Sequence, residues 1–223
     1  MGARHEFKHK INYGDFIVLR SRLRAIMQTD SNANSDGTYR IRSLYFDSPG
    51  DKALKDKING VDKREKFRLR RYIGHGLINL EKKSKLHGLC YKQAVSLNAK
   101  EAAAIIKGDY SFMNDPEREL LYEFYSKIKS QTLKPKTLVE YNREAFTYAA
   151  GNVRVTFDSG LHTGVYSKDF LSDTVPLIPT GDGSILMEIK YDEFIPDEIY
   201  KATGLNARSA EAVSKYALCR VYG

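Results

Sequence analysis

An α+β chain dominated by antiparallel strands is the fold class this sequence predicts, and three observations carry that prediction. Six separate segments alternate charged with apolar residues at the period of a strand. Short helical stretches with their own start and stop signals fall between them. Clusters of Gly, Pro, Asn and Asp supply turns.

In chain order, Glu6, Lys8 and Lys10 share a strand face near the N-terminus. Asp15 to Met27 spaces Phe16, Leu19, Leu23 and Ile26 along one helical stripe, with Arg20 and Arg24 off it. Turns are expected at Asn32 to Gly37 and at Ser48-Pro49-Gly50. Between Lys63 and Lys92 stand ten Lys and Arg residues against only Glu65 and Glu81. In Lys66-Phe67-Arg68-Leu69-Arg70 a β reading aims Lys66, Arg68 and Arg70 to one side and Phe67 and Leu69 to the other. Beyond a turn at Gly74 to Gly76, Glu81 and Lys83 share a face in the same way. Asn98 with Glu101 reads as a capping box before Ala102 to Lys107, and Gly108 supplies a stop. Asp115-Pro116 reads as an N-cap and first helical residue, opening a helix to about Ser130. Tyr141 and Arg143 share a strand face, and past the turn at Gly151-Asn152, Arg154, Thr156 and Asp158 alternate with Val153, Val155 and Phe157. After a turn at Thr180 to Gly183, Glu188 and Lys190 alternate with Met187 and Ile189. Pro196 opens a short helix ended by Gly204, and Ser209 caps a last one running through Lys215 towards Val221.

A chain of 223 residues without a visible linker is read as one domain, 1–223. Its 42% hydrophobic content is enough for a core, and its formal charge of +8 favours anionic partners. No stretch approaches the ~20 apolar residues a membrane-spanning helix needs, and Met1 to Lys10 lacks the apolar run of a signal peptide. The expected compartment is the cytoplasm. Cys90 and Cys219, far apart and without metal-ligand spacing, are expected to be reduced and structural. His5 and His9 lack the further ligands a zinc site requires.

A single basic strand ordinarily turns its charges to water. Six of them call for something more. An open sheet would present the cations as a nucleic-acid platform, whereas a closed barrel would turn them inward. The basic strand Lys66 to Tyr72 lacks the aromatic spacing of a base-stacking surface, so no nucleic acid is expected. A dry interior cannot hold so many charges, because an unpaired buried ammonium costs several kcal/mol. The interior would be wet and would gain from a ligand of dense negative charge, with Glu6, Glu81 and Glu188 as counter-charges or oxygen ligands for a divalent ion.

One ordered set of motifs goes further: Glu6-x-Lys8-x-Lys10, Ser43-Leu44-Tyr45-Phe46-Asp47, Phe67-Arg68-Leu69-Arg70-Arg71-Tyr72, Glu81-Lys82-Lys83, Tyr141-Asn142-Arg143-Glu144-Ala145-Phe146, Arg154-Val155-Thr156-Phe157-Asp158, Glu188-Ile189-Lys190 and Ser214-Lys215-Tyr216. In this order it resembles the VTC (vacuolar transporter chaperone) polyphosphate polymerase domain of the triphosphate tunnel metalloenzyme superfamily, over nearly the whole chain. The resemblance implies an antiparallel β-barrel of about eight strands, a triphosphate tunnel, with flanking and plugging helices. It further implies a polyphosphate polymerase that transfers the γ-phosphate of ATP to inorganic polyphosphate, with Mn2+ or Mg2+ as cofactor. On this resemblance Arg68, Arg70, Lys83, Arg143, Arg154 and Lys215 would be catalytic, Lys8, Lys10, Lys92, Tyr141 and Ser214 would bind phosphate, and Glu188 would hold the metal. From their shared strand-face alternation, Lys66, Arg68, Arg70, Lys83, Arg143, Arg154 and Glu188 are expected to converge inside one barrel.

Two departures bear on the chemistry. The hydrolytic branch of the superfamily begins Glu-x-Glu-x-Lys, and the second acid is Lys8 here, which favours phosphate transfer over hydrolysis. A lysine expected three residues before Lys215 is Ala212. A triphosphate or nucleotide hydrolase of the same superfamily and a non-catalytic polyphosphate sensor are the alternatives, because both would use the same cations.

Overall fold

The computed structural model describes residues 4–164, 169–205 and 209–221. Its strands are β1 (His5–Ile11), β2 (Gln28–Thr29), β3 (Thr38–Asp47), β4 (Arg64–Tyr72), β5 (Ile78–Leu86), β6 (Leu89–Leu97), β7 (Lys134–Tyr148), β8 (Val153–Gly164), β9 (Ile178–Pro179) and β10 (Ile185–Tyr191). The helices are α1 (Tyr13–Ile26), α2 (Lys52–Ile58), α3 (Ala99–Lys107), α4 (Glu119–Gln131), α5 (Asp197–Thr203) and α6 (Lys215–Val221). Eight strands form one antiparallel sheet in the order β1-β10-β8-β7-β3-β4-β5-β6, with β2 added at β7 and β9 at β8. The sheet curls until its two edges meet at a single backbone bridge, Arg4 to Cys90. The Glu211 N–H donates to the Lys8 carbonyl at 2.8 Å, which ties the segment before α6 to β1.

Alternation along each strand sorts the side chains onto two sides of the curl. Leu44, Phe46, Phe67, Leu69, Leu80 and Leu138 leave by the outer face into a core with Ala102 and Ile105 of α3 and Leu121, Phe124 and Ile128 of α4. Phe146, Val155, Phe157, Met187 and Ile189 leave by the same face farther round, where Leu19 and Leu23 of α1 and Ile199 of α5 cover them. The interior holds a smaller apolar group, Tyr39, Ile41, Tyr45, Val139 and Tyr141, against Tyr216 and Cys219 of α6. Helix α6 is therefore a plug. Its ring Tyr216 stacks on Tyr45 at 4.9 Å and its hydroxyl donates to Asp47 at 2.7 Å. Asp47 also accepts the N–H groups of Ala53 and Leu54, so one buried carboxylate fixes the start of α2 and the plug together.

Local signals explain most of the helices and correct the starts of three. Asn12 accepts the Asp15 N–H at 2.8 Å, so α1 opens at Tyr13, ahead of the expected Asp15. The capping box of Asn98 and Glu101 is fully formed, and Gly108 ends α3 at a φ of 89° that a side chain would strain. Asp115 instead closes a turn by accepting the Glu117 N–H at 3.0 Å, and α4 begins only at Glu119. Ser209 does not cap the last helix: residues 209–214 are not helical, and Ser214 accepts the Ala217 and Leu218 N–H groups at the start of α6. Helix α2 was not expected from the sequence. Both cysteines are free, and no helix among the described residues is long and apolar enough to cross a membrane.

Candidate functional site: a cation-lined interior

Seven strands contribute charged side chains to the interior, at registers that bring them together. Lys8 faces Glu188 across β1 and β10, Arg143 faces Asp158 across β7 and β8, and Arg68 faces Glu81 across β4 and β5. Lys66, Lys83 and Lys92 form one row across β4, β5 and β6. Lysines directly opposite one another repel, so this row costs the sheet stability.

Two carboxylate hubs organise the cations. Around the first, Arg68 donates to Glu81 from Nε at 2.8 Å and Nη2 at 2.5 Å, and from Nη1 to the Tyr45 hydroxyl at 2.8 Å. Lys92 lies 2.5 Å and Arg70 3.7 Å from the same carboxylate. Burial works to raise the Glu81 carboxyl, and Arg68, Arg70 and Lys92 outweigh it and hold the group far below the usual carboxylate range. Around the second, Arg143 grips Asp158 with two bonds of 2.5 and 2.6 Å, while Lys215 pairs with Asp158 and lies 3.2 Å from Glu188. Lys190 at 3.1 Å, Arg143 at 3.7 Å and Lys8 at 3.9 Å complete the surroundings of Glu188. Burial opposes ionisation of Glu188, and Lys215, Lys190, Lys8 and Arg143 overcome it. Lys8 also pairs with Glu6 at 2.7 Å; burial favours the neutral Glu6, and Lys190 and Lys8 pull it down to about 2. The Tyr141 ring lies beneath both Arg143, at 5.4 Å, and Lys215, at 4.7 Å.

Lys83 and Lys66 differ from these. Neither forms an ion pair among the described residues; Lys66 rests over the Tyr45 ring at 5.7 Å. Burial first, then the Lys190 and Arg68 charges, push the Lys83 ammonium well below its ordinary value. Among the orphaned buried atoms are Arg70 Nε and Ser43 Oγ, side chains that face each other across β4 and β3. An interior with idle donors and a lysine that resists its own charge lacks negative charge. A bound polyanion would restore the Lys83 proton, so tripolyphosphate binding is expected to take up protons within the lowered Lys83 range and to weaken as pH rises through it. Calorimetry in two buffers of different ionisation enthalpy measures that uptake, and a buffer-independent heat would contradict it.

The positions named from sequence are mostly brought together. Arg68, Arg70, Lys83, Lys92, Arg143, Glu188 and Lys215 share the interior with Lys8 and Tyr141, and Ser214 is buried at the start of the plug. Arg154 lies on the interior face towards one end, where it donates to the Tyr39 hydroxyl at 2.7 Å and pairs with Asp30. Lys10 stands apart: it is the last inward position of β1, opposite Leu186, and it reaches the exposed Asp182 at 3.3 Å. Missed were Tyr45, Asp158 as an organising carboxylate, and Lys57 of α2. Tyr45 and Asp158 stood inside quoted motifs on the correct strand parity, so their signal was present.

Glu188 fits a divalent ion of one kind. Both its oxygens already face cations, and no group of three or more His, Cys, Asp or Glu side chains among the described residues forms a cage. Such a donor set suits an ion that keeps most of its oxygen ligands from the substrate's phosphates, as magnesium does.

A family model for the VTC domain matches residues 3–221. The chain belongs to that family. No curated protein is similar enough to this VTC domain to count as a match. Among solved structures it is similar to an adenylate cyclase-like protein from Bacillus halodurans, at 16% identity and a TM-score of 0.55, with 92% of this chain and 89% of that one covered. It is also similar to an adenylyl cyclase-like protein from Hippeastrum, described as having a dominant triphosphatase activity, at 12% identity and a TM-score of 0.57, with 98% and 95% covered. At these identities the likeness shows a shared fold.

Proposed function

We propose that this VTC domain is a metal-dependent polyphosphate polymerase that passes the γ-phosphoryl group of ATP to the end of an inorganic polyphosphate chain. The observation that carries the reading is the interior itself, where Arg forks and Lys ammonium groups from opposite walls converge around the buried carboxylates of Glu81, Asp158 and Glu188. Phosphoryl transfer needs in-line positioning and neutralisation of charge on equatorial oxygens, which fixed cations supply. The Arg68 fork and the Arg143 fork are pre-set by Glu81 and Asp158, so they meet phosphate without reorganising. The acceptor's terminal oxygen is already a nucleophile and needs no covalent intermediate. A Mn2+ or Mg2+ ion held by Glu188 and the phosphates would offset charge on the transferring group.

Lys8 supports transfer over hydrolysis. Its ammonium lies beside Glu6 and Glu188, where a second carboxylate would have supported a water-activating metal. The triphosphatase activity described for the Hippeastrum protein motivates the competing reading, a triphosphate hydrolase. Incubation with ATP and manganese, read for both polymer and free phosphate, decides between them: polymer is expected, and phosphate without polymer would overturn the proposal. The orphaned Nε makes Arg70 a sharp binding probe. Arg70→Ala is expected to weaken tripolyphosphate binding by about 1–3 kcal/mol, the range for a lost charge-assisted contact. Unchanged affinity by calorimetry would remove it from the binding site.

A further inference from the structure

Among the described residues, nothing receives the hydroxyl proton of Tyr45. Its oxygen accepts Nη1 of Arg68 at 2.8 Å, and a guanidinium has no lone pair with which to return the bond. The strongest charges acting on the hydroxyl are those of Arg68, Lys66 and Lys215, all cations. The two carboxylates that share its surroundings are already filled. Glu81 faces Arg68 through Oε2 and Lys92 through Oε1, and Asp47 takes the N–H groups of Ser48, Ala53 and Leu54 and the hydroxyl of Tyr216. Other tyrosines are placed differently: Tyr216 donates to Asp47 and Tyr148 to Glu198, while Tyr39, which accepts from Arg154 in the same way, has Asp30 beside it.

The ring itself is fixed. Tyr216 stacks on it at 4.9 Å, Lys66 and Arg68 lie over it at 5.7 and 5.6 Å, and the residue is 4% exposed, so the direction of the O–H is the one freedom left. A phenol O–H buried without an acceptor loses its hydration and gains nothing in return. A water molecule does not mend this, because it would bring two hydrogens of its own among groups that only donate. The partner that fits accepts, never donates and carries negative charge, and a non-bridging phosphate oxygen has all three properties. Burial favours the neutral phenol, yet Arg68 and Lys66 outweigh it and move the hydroxyl below its ordinary value, which makes the group a stronger donor. We propose that Tyr45 is a further phosphate-binding residue, donating its hydroxyl proton to a non-bridging oxygen of a bound oligophosphate while Arg68 holds the phenol oxygen. This rests on the reading of the interior as a triphosphate site and is independent of phosphoryl transfer. It gives β3, whose inward residues Tyr39, Ile41, Ser43 and Tyr45 include no cation, a direct part in recognition.

The test measures tripolyphosphate affinity, without metal or ATP, on the unaltered protein, Tyr45→Phe, Arg68→Lys and the double variant. Tyr45→Phe keeps the ring and its stack on Tyr216, and denaturant unfolding checks that it is folded. It is expected to weaken binding by about tenfold, the low end for a hydrogen bond to a charged acceptor. The same factor is expected on the Arg68→Lys background. A Tyr45 that served only to steer the Arg68 fork would show the loss on the first background and none on the second; that result overturns the proposal, as does unchanged affinity in the single variant. Ultraviolet difference spectra give a readout that needs no Arg68 variant: saturation with tripolyphosphate is expected to red-shift tyrosine absorption, and part of that shift is expected to be missing in Tyr45→Phe. Identical difference spectra would mean that the phenol donates nothing to the ligand. Failure of the unaltered protein to bind tripolyphosphate would overturn the triphosphate site and the proposal together, whereas binding indifferent to Tyr45 overturns the proposal alone.

Discussion

Glutamine at Glu188 is expected to lower metal-dependent polyphosphate synthesis by about 10²–10³-fold, the scale of losing one electrostatic element in a preorganised site. The substitution keeps the size and removes the charge. Structure sharpens the expectation, because Glu188, besides the metal role proposed for it, holds Lys190, Lys215, Arg143 and Lys8 around one point. Without its charge those cations lose a competitor for phosphate, so tripolyphosphate binding without metal is expected to hold or tighten. Both quantities are to be measured on one folded preparation. Full synthesis would free Glu188 from the metal role, and equal loss of synthesis and binding would mean that the cations had lost their positions.

Truncating Phe124 to alanine is expected to cost about 3–5 kcal/mol of stability, the range for removing a buried aromatic side chain. Phe124 is fully buried in α4, stacked on Phe67 at 4.9 Å and edge-on to Phe46 at 5.0 Å. It is the joint between the helical layer and strands β3 and β4. Phe46 and Phe67 are sequence neighbours of Tyr45 and Arg68, yet they lie on the other side of the sheet. Denaturant unfolding should therefore show the full loss while tripolyphosphate affinity of the folded protein stays near its original value. A loss below about 1 kcal/mol would show that the outer layer can collapse into the space.

Strand faces were legible in the sequence because parity is a local property: Lys66, Arg68 and Arg70 cannot point anywhere but together once the segment is extended. The capping box at Asn98 and the glycine stop at Gly108 were legible for the same reason. What was missed depended on partners far away in sequence. Helix α2 has no side-chain cap, its Asp51 sits in a left-handed conformation, and it buries no residue fully, so neither periodicity nor capping announced it. It is held instead by Asp47 and by an ion pair from Arg220 to Asp51. Lys57 went unnoticed with it. Ser209 has the chemistry of a cap, yet residues 209–214 are not helical and the Glu211 N–H is taken by the Lys8 carbonyl. Lys10 satisfied the parity rule and still fell outside the cluster, since alternation gives a side but not a depth.

Oil outside and charge inside, alternating residue by residue on the same strands, leaves no slack in the reading frame. In β4 the Phe67 and Leu69 side chains feed the helical layer while Arg68 and Arg70 feed the interior. Exchange of any one of them disturbs one compartment. A single-residue deletion at the start of that strand would exchange the two sets wholesale, sending guanidinium groups into the apolar layer and phenyl and isobutyl groups into the charged interior. For this protein the gravest lesions are therefore shifts of phase rather than changes of letter, and length variation among its relatives should be confined to the turns.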